Sequence, residues 1–209
     1  MTISDGTLEA GSGADCCGDR EVNVGVHDRL RRAETLLVEC GAREIEHPGG
    51  NLFAHLERVA ALLGDWGADD DLRLAGLGHA FYGTDGFAVS LLALEDRTQL
   101  AEVIGDEAEQ LVYIYASCNR RAVYPLLGEP GPMHFTDRFT GETRHLSELH
   151  AAAFVELTVA NELDIAMADP SSITRWGAQL FGLCRRARER LSEPGWQTCV
   201  TVLARFVAN

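Results

Sequence analysis

Two neighbouring stretches decide how this sequence is read: NLFAHLERVAALLGDW at residues 51–66 and DDDLRLAGLGHA at residues 69–80. In the first, Leu52, Leu56, Val59, Leu62 and Leu63 recur at helical spacing, and the pattern closes at Gly64 and Gly67. In the second, Asp69, Asp70 and Asp71 open a helix at the end where negative charge suits the dipole. Each helix carries one histidine on or beside its apolar face. His55 has Leu52, Val59 and Leu62 as helical neighbours, and His79 has Ala75 and Leu72. A buried neutral imidazole needs a partner for each ring nitrogen. Hydrogen bonding within a core is one solution, and a shared metal ion is the other, since histidine is the commonest nitrogen ligand.

Helical periodicity continues on both sides. Residues 27–40 end at Gly41, while 97–103 and 106–118 flank Gly105. A helix from Ser147 to about Ala168 is capped by that serine. After the Asp169-Pro170 break, Ser171 and Ser172 are expected to cap another helix to Leu191, and the last runs to Val207. Residues 122–132 hold Pro125, Gly128, Pro130 and Gly131 and read as a loop. HFTDRFTGETRH at 134–145 alternates around Thr140-Gly141 and reads as a small hairpin. Residues 1–25 are rich in Gly, Ser and Asp and are expected to form a flexible tail. The expectation is therefore an all-α helical bundle over residues 26–209, one domain with a hairpin-like insert.

Composition removes several kinds of function. All 18 basic residues are arginine, so no lysine can form a Schiff base, serve a Walker A loop or complete a protein-kinase site. The formal net charge is −14, which disfavours nucleic acid and anionic membranes as partners. The sequence shows no span long enough to cross a membrane and no recognisable leader, which points to the cytoplasm. The six cysteines have no zinc-ribbon spacing. They read as reduced thiols, with Cys16 and Cys17 in the tail.

Other polar residues are candidates for chemistry. Asn161 and Asp164 interrupt the apolar stripe of the 147–168 helix, with Glu156 one position off it. A carboxylate there must be paired or ligating. His47 precedes the His55 helix and is either an extra ligand or an exposed loop residue. Arg120, Arg121 and Arg138 are candidates to clamp a phosphate or carboxylate, or else are solvated charges.

H55-L-E-R-V-A followed by L-R-L-A-G-L-G-H79 resembles the opening of HD-superfamily domains. These are all-helical and include metal-dependent phosphohydrolases and mixed-valent di-iron oxygenases. The resemblance implies His55, His79 and a distant carboxylate, Asp164 or in reserve Glu156, as ligands of a divalent ion (manganese, iron, cobalt or zinc), with His47 as an extra ligand in the oxygenase version. The Asp expected after the second histidine is Ala80 here. In H79-A-F-Y-G-T-D85, Tyr82 or Asp85 would take its place, beside Asn161, as catalytic candidates. The H-x-x-Y-G-T form is similar to an HD-like family of unknown function. Three activities follow as expectations: a phosphohydrolase acting on a small anionic molecule, a di-iron oxygenase acting on a small polyol or phosphonate-like molecule, and a non-catalytic ligand-binding or interaction protein.

Overall fold

The computed structural model describes residues 18–207. The tail before residue 18, with Cys16 and Cys17, lies outside the described residues. The elements, in chain order, are α1 (Gly18–Glu39), β1 (Glu46–His47), β2 (Gly50–Asn51), α2 (Leu52–Asp65), α3 (Asp70–Gly78), α4 (Arg97–Ile104), α5 (Asp106–Ser117), α6 (Arg120–Val123), β3 (His134–Thr136), β4 (Thr143–His145), α7 (Glu148–Ala168), α8 (Pro170–Ala187) and α9 (Glu193–Val202). The fold is all-α with two small antiparallel hairpins, β1–β2 and β3–β4. No helix among the described residues is long and apolar enough to cross a membrane. Cys40, Cys118, Cys184 and Cys199 are unbridged.

Local chemistry sets most of the element ends. The Asn51 side chain accepts from the Ala54 amide and starts α2, and Asp69 does the same for α3 through the Leu72 amide. Ser147 caps α7 by accepting from the His150 amide. Two ends differ from expectation. α1 begins at Gly18, ahead of the apolar period, because helix propagation gains a hydrogen bond per residue without needing an apolar face. α8 is capped by Asp169, whose side chain accepts from Ser171, and Pro170 occupies its first turn. Pro170 thus opens this helix, since its missing N–H is one that a helix start leaves unpaired anyway.

α7 is the axis of the bundle. It packs on α2, α3, α5, α8 and α9, and from Phe154 to Leu163 all but one of its residues are buried. A helix buried on nearly every face has no single apolar stripe. Asn161 and Asp164 are therefore enclosed by neighbours rather than intruding on a seam. Against α7, Leu52, Leu56, Val59 and Leu63 of α2 are fully buried, each contributing about 1.5–3 kcal/mol. α3 packs between α2 and α5.

The β1–β2 turn needs its glycine. His47 pairs with Gly50, which leaves Pro48-Gly49 as the turn, and Gly49 has φ +80°. A Cβ at Gly49 would also stand 2.6 Å from the Ala168 Cβ at the end of α7. This close approach folds the hairpin back over α2 and carries His47 with it.

Candidate functional site: a three-histidine cavity

His55, His79 and His47 meet at one cavity of about 250 Å³ between α2, the end of α3, α7 and the β1–β2 hairpin. The His47 and His55 rings are stacked with centroids 4.1 Å apart, and the His79 ring stands edge-on to His55 at 5.2 Å. Tyr115 of α5 stands edge-on to His79 from the other side, also at 5.2 Å.

The buried His55 is gripped from α7. Its Nδ1–H donates to Asp164 Oδ2 at 2.6 Å, and its Nε2 lies 3.1 Å from Asn161 Oδ1. As oriented, both ring nitrogens face acceptors. Turning the Asn161 amide over would put its NH₂ on the Nε2 lone pair instead, so the two amide orientations match the two protonation states of the ring. Asp164 is fully engaged. Arg58 donates to it twice, Nε to Oδ1 at 2.7 Å and Nη2 to Oδ2 at 2.9 Å, and reaches the Pro48 carbonyl of the hairpin at 3.2 Å. Burial works to raise the Asp164 pKa, but hydrogen bonds from His55 and Arg58 outweigh it and hold the carboxyl below its usual value.

The other two imidazoles are neutral at pH 7. Burial, then the charge of His55, lowers His79 to about 3 and His47 to about 4. His79 caps α3, and its Nδ1–H donates to the Gly76 carbonyl at 2.7 Å. That bond fixes the tautomer and leaves the Nε2 lone pair without a partner among the described residues. His47 Nδ1 is buried and likewise unpartnered.

Arg120 closes the far wall. Its Nη1 donates to Glu162 at 3.1 Å and its Nη2 to the Tyr115 hydroxyl at 3.1 Å. Asp85 accepts from the Arg120 backbone amide at 2.8 Å, and Gly86 leaves room for the guanidinium, since a Cβ there would lie 2.9 Å from Nη1.

Several expected site residues are elsewhere. Tyr82 is buried away from the cavity and donates to Glu109. Asp85 holds Arg120 but does not line the cavity. Both were expected to stand in for the aspartate missing at position 80, yet the chain leaves helical geometry after Gly78 and turns at Gly83, which carries them away from the histidines. Glu156 lies roughly 140° around α7 from Asn161. It binds the Ser192 amide and hydroxyl and lines a different cavity, and burial raises its pKa. Arg121 is exposed beside a larger neighbouring groove. Arg138 donates to the Ala116 carbonyl and stacks on Phe139. Ala80 does line the cavity, where an HD domain would have its aspartate.

Arg58, Tyr115 and Glu162 join the site without having stood out in the sequence. Arg58 was the findable one, because it follows His55 by three residues and so shares its helix face. Its guanidinium also bears on the metal expected from the resemblance. Asp164 Oδ1 accepts one hydrogen bond and Oδ2 accepts two, so a divalent ion on Asp164 would compete with Arg58 and His55 for it. Among the described residues, no group of three or more His, Cys, Asp or Glu side chains is arranged to hold a metal ion. As placed, Arg58 and His55 hold the carboxylate that the resemblance assigns to a metal.

No curated protein and no solved structure matches the chain at a significant level. Residues 36–120, which carry all three cavity histidines, Arg58 and Arg120 but not the α7 residues, match the family model of a domain of unknown function, DUF6817.

Proposed function

We propose that the chain is an HD-like protein whose three-histidine cavity binds a small oxygen-rich anion and acts on it by acid–base chemistry at His55. The observation that carries this reading is the Asp164–His55 couple, whose imidazole lines a cavity together with Asn161, His79, His47 and Arg120. Asp164 orients the imidazole through Nδ1, while Asn161 can turn either its oxygen or its NH₂ to Nε2. Arg120 supplies charge for a phosphoryl or carboxylate oxygen by exchanging Glu162 for the ligand. His79 contributes an open lone pair that accepts a hydrogen bond from a substrate hydroxyl. Support for the HD-like placement comes from three residues distant in sequence, His55, His79 and Asp164, standing around one centre in an all-helical fold.

The test combines binding with metal content. Histidine ring resonances are followed by NMR during titration with inorganic phosphate. Shifts at His47, His55 and His79 are expected, and Arg120→Met should remove them. Absence of shifts at tens of millimolar phosphate overturns the binding reading. Hydrolysis of model phosphomonoesters should be lost in His55→Gln with the fold intact. Elemental analysis should find far less than one ion per chain, and one ion per chain that His79→Ala abolishes would replace this reading with a metal-dependent one.

A further inference from the structure

The three-histidine cavity is not a closed end. Gly86, Arg120, Glu162 and Ile165 line it and also line a second, larger cavity of about 830 Å³ between α7, α8 and Tyr124. The Arg120–Glu162 pair therefore stands as the partition between an inner chamber and an outer groove.

The groove has a composition unlike the rest of the surface. Its floor is an apolar row along α8, Ile173, Trp176 and Leu180, spaced three and four residues apart so that they share one face. The Trp176 side chain is left 57% exposed, an unusual position for so large an apolar group. Its charged rim is Arg120, Arg121 and Arg186, with Glu162 the lone carboxylate among its lining residues, in a chain of net charge −14. Tyr124, also in the lining, has a buried hydroxyl without a partner among the described residues.

We infer that the outer groove is the second half of the same site and that the ligand is amphipathic: an anionic head on Arg120 at the partition and an apolar, ring-bearing body lying along Trp176. The inner chamber is too small for such a body, and the groove has the volume and lining of a small-molecule site. The arginine rim attracts the head against the field of the whole protein. This assignment rests on the anion reading above for the head alone, and the body stands on the groove.

Two phosphonates with the same head and different bodies separate the halves: methylphosphonate and 2-naphthylmethylphosphonate, neither cleavable at its P–C bond. Both are titrated into the full-length protein by calorimetry. The naphthyl compound should bind at least about tenfold tighter, from the apolar area it buries. Trp176→Ala should erase that advantage and leave methylphosphonate binding unchanged, and because Trp176 is exposed the variant keeps its fold. Arg120→Met should weaken both compounds. Equal affinities, or a naphthyl advantage that survives Trp176→Ala, overturn the groove assignment while leaving the anion reading standing. Naphthyl binding indifferent to Arg120 overturns the shared site. Binding of neither compound overturns both readings.

Discussion

Two buried clusters in this protein are built to the same plan, and only one of them faces a cavity. In the first, Asp164 of α7 accepts two hydrogen bonds from Arg58 and one from His55. In the second, Glu109 of α5 accepts two from Arg97 and one from the Tyr82 hydroxyl. Each is a buried carboxylate, a forked arginine and one ring donor. The difference lies in the ring. Tyr82 has a single polar atom, and Glu109 uses it. His55 has two ring nitrogens, one on Asp164 and one on Asn161, and its ring also lines the cavity that His47 and His79 share. A structural ion-pair cluster becomes a candidate reactive site when one of its members also lines a cavity. Pairing alone is poor evidence for chemistry, because Arg97–Glu109–Tyr82 is equally well paired and lines neither the histidine cavity nor the groove beside it.

The harshest way to break the comparison is to remove each carboxylate. Asp164→Ala and Glu109→Ala each strand an arginine and a ring donor, and each should cost about 3–5 kcal/mol in denaturant unfolding. Both variants lose stability, but only Asp164→Ala should also change the ring resonances of His47 and His79. Equal perturbation of those signals by Glu109→Ala would show that the two clusters are coupled.

Acid separates the clusters next. His79 has a folded-state pKa near 3 and His47 one near 4, against the usual 6.5. Between those values the unfolded chain binds protons that the folded chain refuses. Stability is full above about pH 6.5 and falls as the pH drops, by at most ~1.4 kcal/mol per pH unit for each histidine. The depressed Asp164 carboxyl adds its own loss only below the usual carboxylate value of 3.8. Denaturant unfolding at steps from pH 7.5 to 4.5 should show the slope, and His79→Leu should flatten it. Tyr82→Phe, in the other cluster, should leave the slope unchanged while lowering stability at every pH.

Ala80→Asp tests the missing residue of the HD pattern. The side chain at position 80 is 2% exposed and lines the cavity. A carboxylate there should cost about 1–3 kcal/mol without metal and should create zinc or manganese binding measurable by calorimetry. A variant that gains no metal affinity would show that Arg58, rather than the absent carboxylate, is what keeps a cation out. The smallest effect is expected from Gly49→Ala, at about 1–2 kcal/mol, from a strained φ and the contact with Ala168. By lifting the hairpin it should unstack His47 from His55 and move the His47 resonance alone.

Legibility in the sequence varied by residue, for identifiable reasons. His55 and His79 announced themselves as polar side chains on regular apolar faces, and Asp164 and Asn161 did so on α7. Tyr82 and Asp85 were candidates only as substitutes for the aspartate absent at position 80, and the turn after Gly78 sends them to other partners. Glu156 was placed wrongly because α7 is buried on nearly all sides, so a polar residue on it does not report which neighbour it meets.

Periodicity is a local property, repeated every 3.6 residues, and it is written wherever a helix has a dry face and a wet one. For that reason the all-α class, the course of α2 and α3, the Ser147 cap and the inward histidines were determined by sequence alone. Lysine-free composition likewise settled which chemistries are impossible. Partnership is not periodic. That Asp164 would be clamped by Arg58, that Pro48-Gly49 would fold His47 onto His55, and that Arg120 would stand between two cavities depend on which helices pack together and at what angle. Those contacts join residues as many as 106 positions apart, and only the tertiary structure decides them.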